Sequence, residues 1–153
     1  MKLTDMIQQA RDVGSFDAVT GCIPYMQFMG MTASVIDGDV VTRLGFAPHL
    51  VGNPRLPAIH GGVIGALLES AAILKLVWST ESVTIPKTIN VTVQYLRSAA
   101  ATDTFARAQF VRHGRRIATV SARAWQDDES TPVAQASMHF LLGVDPAAGH
   151  AVS

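Results

Sequence analysis

The segment that most constrains the fold is a long apolar run, GGVIGALLESAAILKLVWS, at residues 61–79. Apolar side chains recur along it at helical spacing and predict one long helix. They are Val63, Leu67, Ala71, Leu74 and Trp78. Within this run stands the carboxylate of Glu69, which is costly to bury unpaired because burial disfavours the charged form. We therefore expect a core helix in which Glu69 has a function.

Strands are predicted on both sides of this helix. Residues 31–36 and 40–46 form two of them, and Asp37-Gly38-Asp39 between them is typical of a hairpin turn. After Pro86, further strands are predicted at residues 88–96, 105–112, 117–126 and 133–142. Residues 3–13 predict a helix, and a shorter helix is expected near residues 23–28. An antiparallel sheet wrapped around one central helix, an α+β fold, satisfies this order.

Strict alternation along residues 88–96 divides that strand into two faces. Ile89, Val91, Val93 and Tyr95 share one face, and Thr88, Asn90, Thr92 and Gln94 share the other. The predicted organisation is a helical segment at residues 1–29, one domain at residues 30–145 and a flexible tail at residues 146–153.

Composition narrows the choice of partners. Hydrophobic residues make up 48% of the chain and charged residues 16%, which favours a self-association interface in a homodimer or homotetramer. Acidic and basic residues number 12 each, so a nucleic-acid partner is not expected. Cys22 is the only cysteine, which suits the cytoplasm. We expect no segment long and apolar enough to cross a bilayer, and no membrane partner.

Four segments resemble the hotdog-fold thioesterases. They are HGGVIGALLESAA, INVTVQYLRSA, ARAQFVRHGRRIATVSARAWQDD and PVAQASMHFLL. The resemblance covers residues 30–142 and is closest to the phenylacetate-degradation-type (PaaI-like) acyl-CoA thioesterases. It implies a hydrolase of acyl-CoA thioesters, with aryl and medium-chain acyl groups as candidates. Coenzyme A is then part of the substrate, and no separate cofactor is expected.

The resemblance also implies roles for individual residues. Gly61 corresponds to the oxyanion-binding glycine, and Glu69 to the nucleophile or general base. Asn53 and Thr88 correspond to residues that orient the water or the acid. The residues implied in binding coenzyme A or the substrate are Gly62, Arg97, Arg112, Arg115 and Arg116.

Elementary geometry adds a constraint on where this chemistry can occur. Gly61 and Gly62 at a helix start are expected to present free N–H groups to a carbonyl oxygen, and glycine allows close approach of the substrate. Glu69 lies eight residues after Gly61, or about 12 Å along a helix. Reacting atoms must approach to about 3–3.5 Å. We therefore predict a site shared between two subunits with antiparallel helices.

Simpler interpretations remain open for most of these residues. Glu69 can be an ordinary helix residue paired with Lys75, and Asn53 a turn residue. His60 can be a general base, although an ordering role at the helix start is favoured. Thr88 can be present because threonine suits strands. The arginines at residues 112–116 can be a solvated hairpin tip, and the five histidines show no metal-ligand spacing.

Alternatives also remain for the function as a whole. A hotdog enoyl-CoA hydratase or dehydratase is one; such enzymes pair a catalytic histidine with the helix acid, but His60 precedes the helix and no histidine in the sequence suits that role. A non-catalytic module that binds acyl-CoA is the other.

Overall fold

The computed structural model describes residues 1–80 and 84–143; the predicted tail at residues 146–153 lies outside them. The helices are α1 (Leu3–Val13), α2 (Asp17–Cys22), α3 (Pro24–Met29) and α4 (Gly61–Ser79). The strands are β1 (Met31–Ile36), β2 (Asp39–Leu44), β3 (Val51–Asn53), β4 (Ala58–Ile59), β5 (Lys87–Tyr95), β6 (Thr104–His113), β7 (Ile117–Trp125) and β8 (Ala134–Leu141).

Most elements appear where the sequence predicts them. The β1–β2 turn is confirmed: Asp37 and Gly38 have φ of 53° and 75°, the left-handed pair that a two-residue hairpin requires. Helix α2 was not predicted, because its six residues, DAVTGC, are too few to show a period. The segment before α4 contains the short β3–β4 hairpin, which was not predicted.

The main sheet has six antiparallel strands in the order β1-β2-β6-β7-β8-β5. Strands β2 and β5 lie in different parts of the sheet, and α4, which lies between them in sequence, crosses the inner face. Leu67, Leu68, Met138 and Phe140 are fully buried between helix and sheet. The predicted α+β architecture, a sheet wrapped around a central helix, is confirmed.

Helix α4 corrects one expectation about the membrane. Over an 18-residue window its mean hydropathy is 1.5, so by length and composition it could cross a bilayer. Half of that window is buried within the protein, as expected when one side of a helix packs against a sheet. Arg11 of α1 donates hydrogen bonds to the carbonyls of Val77, at 2.8 Å, and Thr80 at the helix end, where a cation also complements the helix dipole.

The two edges of the sheet differ. Beside β1, the α1–α2 connection makes backbone bonds from Phe16 N to Ala33 O at 3.2 Å and from Val35 N to Gly14 O at 3.3 Å. Beyond β5, no described residue bonds to the outer side of the strand. Such an uncovered edge is a template for pairing with another strand.

A bulge in β5 corrects the predicted division of its faces. Thr88 is paired with Phe140 and Asn90 with His139, so Ile89 is the extra residue. An extra residue shifts the alternation by one position. Thr88 therefore lies on the same side of the sheet as Phe140 and Val91, although it is exposed near the start of the strand; Ile89 is 53% exposed.

Candidate functional site

His60 is the N-cap of α4, and its ring closes the first turn. Its Nδ1 accepts a hydrogen bond from the Gly62 N–H at 2.9 Å. An accepting imidazole nitrogen carries no proton, so the hydrogen of the neutral ring is on Nε2. The expectation that both glycine N–H groups are free is wrong for Gly62. The Gly61 N–H has no acceptor among residues 1–80 and 84–143.

The β3–β4 hairpin holds His60 in place. The His60 N–H donates to Leu50 O and the Ile59 N–H to Ala99 O, both at 2.9 Å. Gly52 lies directly against His60, since a Cβ at Gly52 would stand 2.7 Å from the His60 Cα. The absence of a side chain at Gly52 is therefore what allows the hairpin to reach the helix start.

Tyr95 at the end of β5 covers the outer side of the first helical turn. Its hydroxyl donates to the Gly61 carbonyl at 2.7 Å. A Cβ at Gly61 would stand 3.3 Å from the tyrosine ring and hydroxyl, and one at Gly65 would stand 3.7 Å from the hydroxyl. The glycine at position 61 thus accommodates Tyr95, a reason that the sequence did not reveal.

A groove of about 270 Å³ opens beside this turn. Gly61, Ile64 and Tyr95 line it, together with Arg97 on the segment after β5. Arg97 therefore lies near the helix start. Glu69 does not line this groove.

Glu69 is partly buried on α4. Its carboxylate has no hydrogen-bond or ion-pair partner among the described residues. Lys75, the partner considered from the sequence, instead pairs with Asp39 at 2.5 Å. Gly65 and Ala66 lie with Glu69 on the partly exposed side of the helix, whereas Ala72 is fully buried.

Asn53 and Thr88 lie apart from each other. Asn53 is exposed at the β3 end, and its Oδ1 accepts from the Arg55 N–H at 3.1 Å, which is the turn role. Thr88 is seven residues from Tyr95 on β5, or roughly 23 Å along the strand. Within one chain, Thr88 and the Gly61 N–H therefore cannot contact the same small group.

Arg112, Arg115 and Arg116 are exposed at and beside the β6–β7 turn. Ile117, the first residue of β7, is paired with Leu141, which is paired with Lys87. The turn is thus at the Lys87 end of β5, opposite Arg97. Within one chain, the candidate arginines therefore lie at two opposite ends of the sheet.

Gly52 and Tyr95 are the site residues that sequence reasoning missed. Both had a sufficient local explanation, a turn for Gly52 and an apolar strand face for Tyr95. The sequence signal that could have pointed to the contact was a tyrosine at the end of a predicted strand together with glycines at the start of a predicted helix.

Comparisons with known proteins identify the family and the fold. A family model described as the acyl-CoA thioesterase N-terminal domain matches residues 53–141. A crystal structure of a Chromobacterium violaceum protein is 36% identical, covers 91% of this chain and 97% of its own, and has a TM-score of 0.73. No curated protein matches this sequence significantly.

Two more distant structures share the fold. A phenylacetic acid degradation-related protein of Ralstonia eutropha JMP134 is 22% identical, with 83% and 98% of the two chains covered and a TM-score of 0.70. A Bacillus halodurans protein crystallised with CoA is 19% identical, with 91% and 93% covered and a TM-score of 0.71. With its six-stranded sheet around α4 and a family match over residues 53–141, this chain belongs to the acyl-CoA thioesterase domain family and has the hotdog fold.

Proposed function

We propose that this protein hydrolyses the thioester bond of acyl-CoA in the cytoplasm, with coenzyme A as the leaving group. The observation that carries the proposal is the Gly61 N–H, which lacks an acceptor among the described residues and stands at the start of a 19-residue helix. A donor of this kind, at the positive end of a helix dipole, suits the oxyanion that forms when a thioester carbonyl is attacked.

Glu69 supplies the second half of the chemistry. Its carboxylate either attacks the carbonyl carbon or takes a proton from a water that does so. The negative charge then moves to the carbonyl oxygen, and collapse of the intermediate expels the coenzyme A thiolate. On the nucleophile route a water then hydrolyses the acyl–Glu69 anhydride; on the base route the proton taken by Glu69 passes to the departing thiolate. The lack of a partner for Glu69 among the described residues supports this role, because a carboxylate already held in an ion pair is a poorer base.

Two subunits complete the site in this proposal. Because β1 is covered and β5 is open, we expect β5 to pair with β5 of a second copy in antiparallel sense. That pairing sets two α4 helices side by side in opposite directions. The helix start of one subunit then faces the middle of the other helix, which carries Glu69, and overcomes the separation of about 12 Å.

The same antiparallel pairing accounts for candidate arginines at both ends of the sheet. Antiparallel pairing brings the Lys87 end of one β5 beside the Tyr95 end of the other. Arg115 and Arg116 of one subunit then approach Arg97 and the groove of the other. Arginine forks suit the phosphates of coenzyme A, so we propose that these side chains bind it. Asn53 and Thr88 are proposed to orient the water or Glu69.

Replacing Glu69 with glutamine tests the chemistry. Glu69→Gln keeps the size and polarity of the side chain but removes its basicity. We expect thiol release from acyl-CoA to fall by at least about 1,000-fold, as for loss of a principal catalytic group. Glu129→Gln, which changes a carboxylate outside the groove, is the matched control. Near-normal turnover by Glu69→Gln contradicts the proposal.

The assay should cover short, long and aromatic acyl-CoAs and include enoyl-CoA. Hydration of enoyl-CoA without thiol release would identify a hydratase instead. Tight acyl-CoA binding without turnover across the panel would identify a binding module.

Mixed dimers test the shared site. Gly61→Pro removes the N–H itself, and the backbone accepts proline because it is the first helical position and His60 before it has φ −58° and ψ 134°; its Cβ, 3.3 Å from the Tyr95 ring, requires a shift of a few tenths of an ångström by that side chain. Neither Gly61→Pro nor Glu69→Gln should be active alone. After co-refolding in equal amounts, about one quarter of wild-type activity should return, since half of the dimers are mixed and each has one intact site of two. No recovery would place both residues in a site within one chain.

A further inference from the structure

The peptide unit between Gly61 and Gly62 is held at both of its polar ends. Its carbonyl, on Gly61, accepts from the Tyr95 hydroxyl at 2.7 Å. Its N–H, on Gly62, donates to His60 Nδ1 at 2.9 Å. The carbonyl has a second lone pair, so the tyrosine bond adds to the helical one. We call this pair of contacts the peptide clamp.

The clamp restrains the backbone at a position where two glycines follow each other. Glycine has the widest backbone freedom of any residue, and the start of a helix lacks the preceding turn that would restrain it. Two consecutive glycines at this position would let the first peptide planes rotate. The neighbouring Gly61 N–H would then lose its direction.

Tyr95 is well placed to prevent such rotation. It comes from β5, 34 residues away in sequence, so it ties the helix start to the sheet rather than to the helix itself. Its ring also packs within 3.3 Å of the space where a Gly61 side chain would lie. Within the single subunit this tyrosine is nevertheless 57% exposed, so inside one chain its hydroxyl contact, more than core burial, explains its position.

We infer that Tyr95 is a positioning residue that orients the Gly61 N–H by fixing the Gly61–Gly62 peptide. The inference rests on the proposed thioesterase function for its catalytic consequence, but the clamp itself does not. A preorganised donor stabilises the oxyanion without reorganising during the reaction. Loss of the clamp should therefore lower kcat while leaving KM nearly unchanged, because substrate binding through other contacts is retained.

Tyr95→Phe is the discriminating variant. It removes one hydroxyl and keeps the ring over Gly61 and Gly65. We expect kcat for thiol release to fall by about 10- to 100-fold, the scale of a misplacement near 1 Å, with KM within about twofold. Tyr25→Phe is the matched control, because Tyr25 is the only other tyrosine and is similarly exposed, at 56%. An unchanged kcat for Tyr95→Phe, or equal losses in both variants, overturns the inference.

A second measurement judges the clamp independently of turnover. Amide hydrogen exchange at Gly62, followed by NMR, should accelerate roughly fivefold in Tyr95→Phe, as expected for loss of one hydrogen bond, and should be unchanged in Tyr25→Phe. If the wild-type protein hydrolyses no acyl-CoA, the proposed function fails, while faster Gly62 exchange would still support the clamp. Unchanged exchange would refute the clamp whatever the activity.

Discussion

The contact between Gly52 and His60 permits a prediction whose size follows from the structure. In Gly52→Ala, the new Cβ would stand 2.7 Å from the His60 Cα and 2.8 Å from its Cβ. Carbon atoms pack at about 3.5–4.0 Å, so the hairpin or His60 must move by roughly 0.8 Å. Since one of the clashing atoms is backbone, no rotamer change of His60 can relieve the overlap.

Two consequences should be measurable. Overpacking of this kind costs about 1–3 kcal/mol, which in a chain of this size lowers Tm by about 2–12 °C. The displacement also moves the N-cap away from the Gly62 N–H, and a shift near 1 Å at a reacting site costs about 100-fold in rate. We therefore expect a lower thermal midpoint by circular dichroism and a larger loss in thiol release than the stability change explains.

Gly21→Ala is the matched control for this substitution. Gly21 lies within α2, and the nearest atom to its added Cβ would be Gln27 Nε2 at 4.0 Å. Alanine in a helix is favoured over glycine by up to about 1 kcal/mol, so the control should keep or raise Tm and keep activity. If Gly52→Ala matches wild type in both Tm and thiol release, the reasoning that His60 is fixed by the hairpin is refuted.

Three further predictions concern stability. Arg11→Met removes the hydrogen bonds to the α4 carbonyls and should cost about 1.5–3 kcal/mol in urea unfolding; an unchanged midpoint would mean that water replaces them. The Phe46 N–H and then the Arg43 side chain hold the pKa of Asp103 below its usual range. The stabilisation is present above the unfolded pKa of about 4 and is lost as pH falls through the lower folded pKa. Asp103→Asn should therefore flatten the decline of the urea midpoint below about pH 4; a decline as steep as wild type would contradict this. Gly38→Ala places a side chain at φ 75° and should cost about 1 kcal/mol, measured as a lower Tm.

Part of the candidate site could be found in the sequence because its signals are local. His60-Gly61-Gly62 at the start of an apolar run and the isolated Glu69 are visible within ten residues. Whether each glycine N–H is free or hydrogen-bonded cannot be read from the neighbouring sequence. Whether Gly62 is free depends on the rotamer of His60, which depends on Gly52 and the hairpin.

The proposed sharing of the site between two subunits is likewise partly predictable from the sequence and partly dependent on the folded structure. The separation between Gly61 and Glu69 follows from helix geometry alone and already argues for two subunits. Which surfaces would meet could not be read from periodicity, because both β1 and β5 are plausible edges until the α1–α2 connection is seen to cover β1.

Local periodicity was sufficient to predict α4, its surrounding strands and the tight turn at Asp37-Gly38, because 3.6- and 2-residue repeats record which side of each element is buried. Strand order, the bulge at Ile89 that places Thr88 on the same side of the sheet as Phe140, and the contact of Tyr95 with Gly61 emerged only from the folded structure. These features join residues far apart in the chain, and their positions are set by the packing of all elements together.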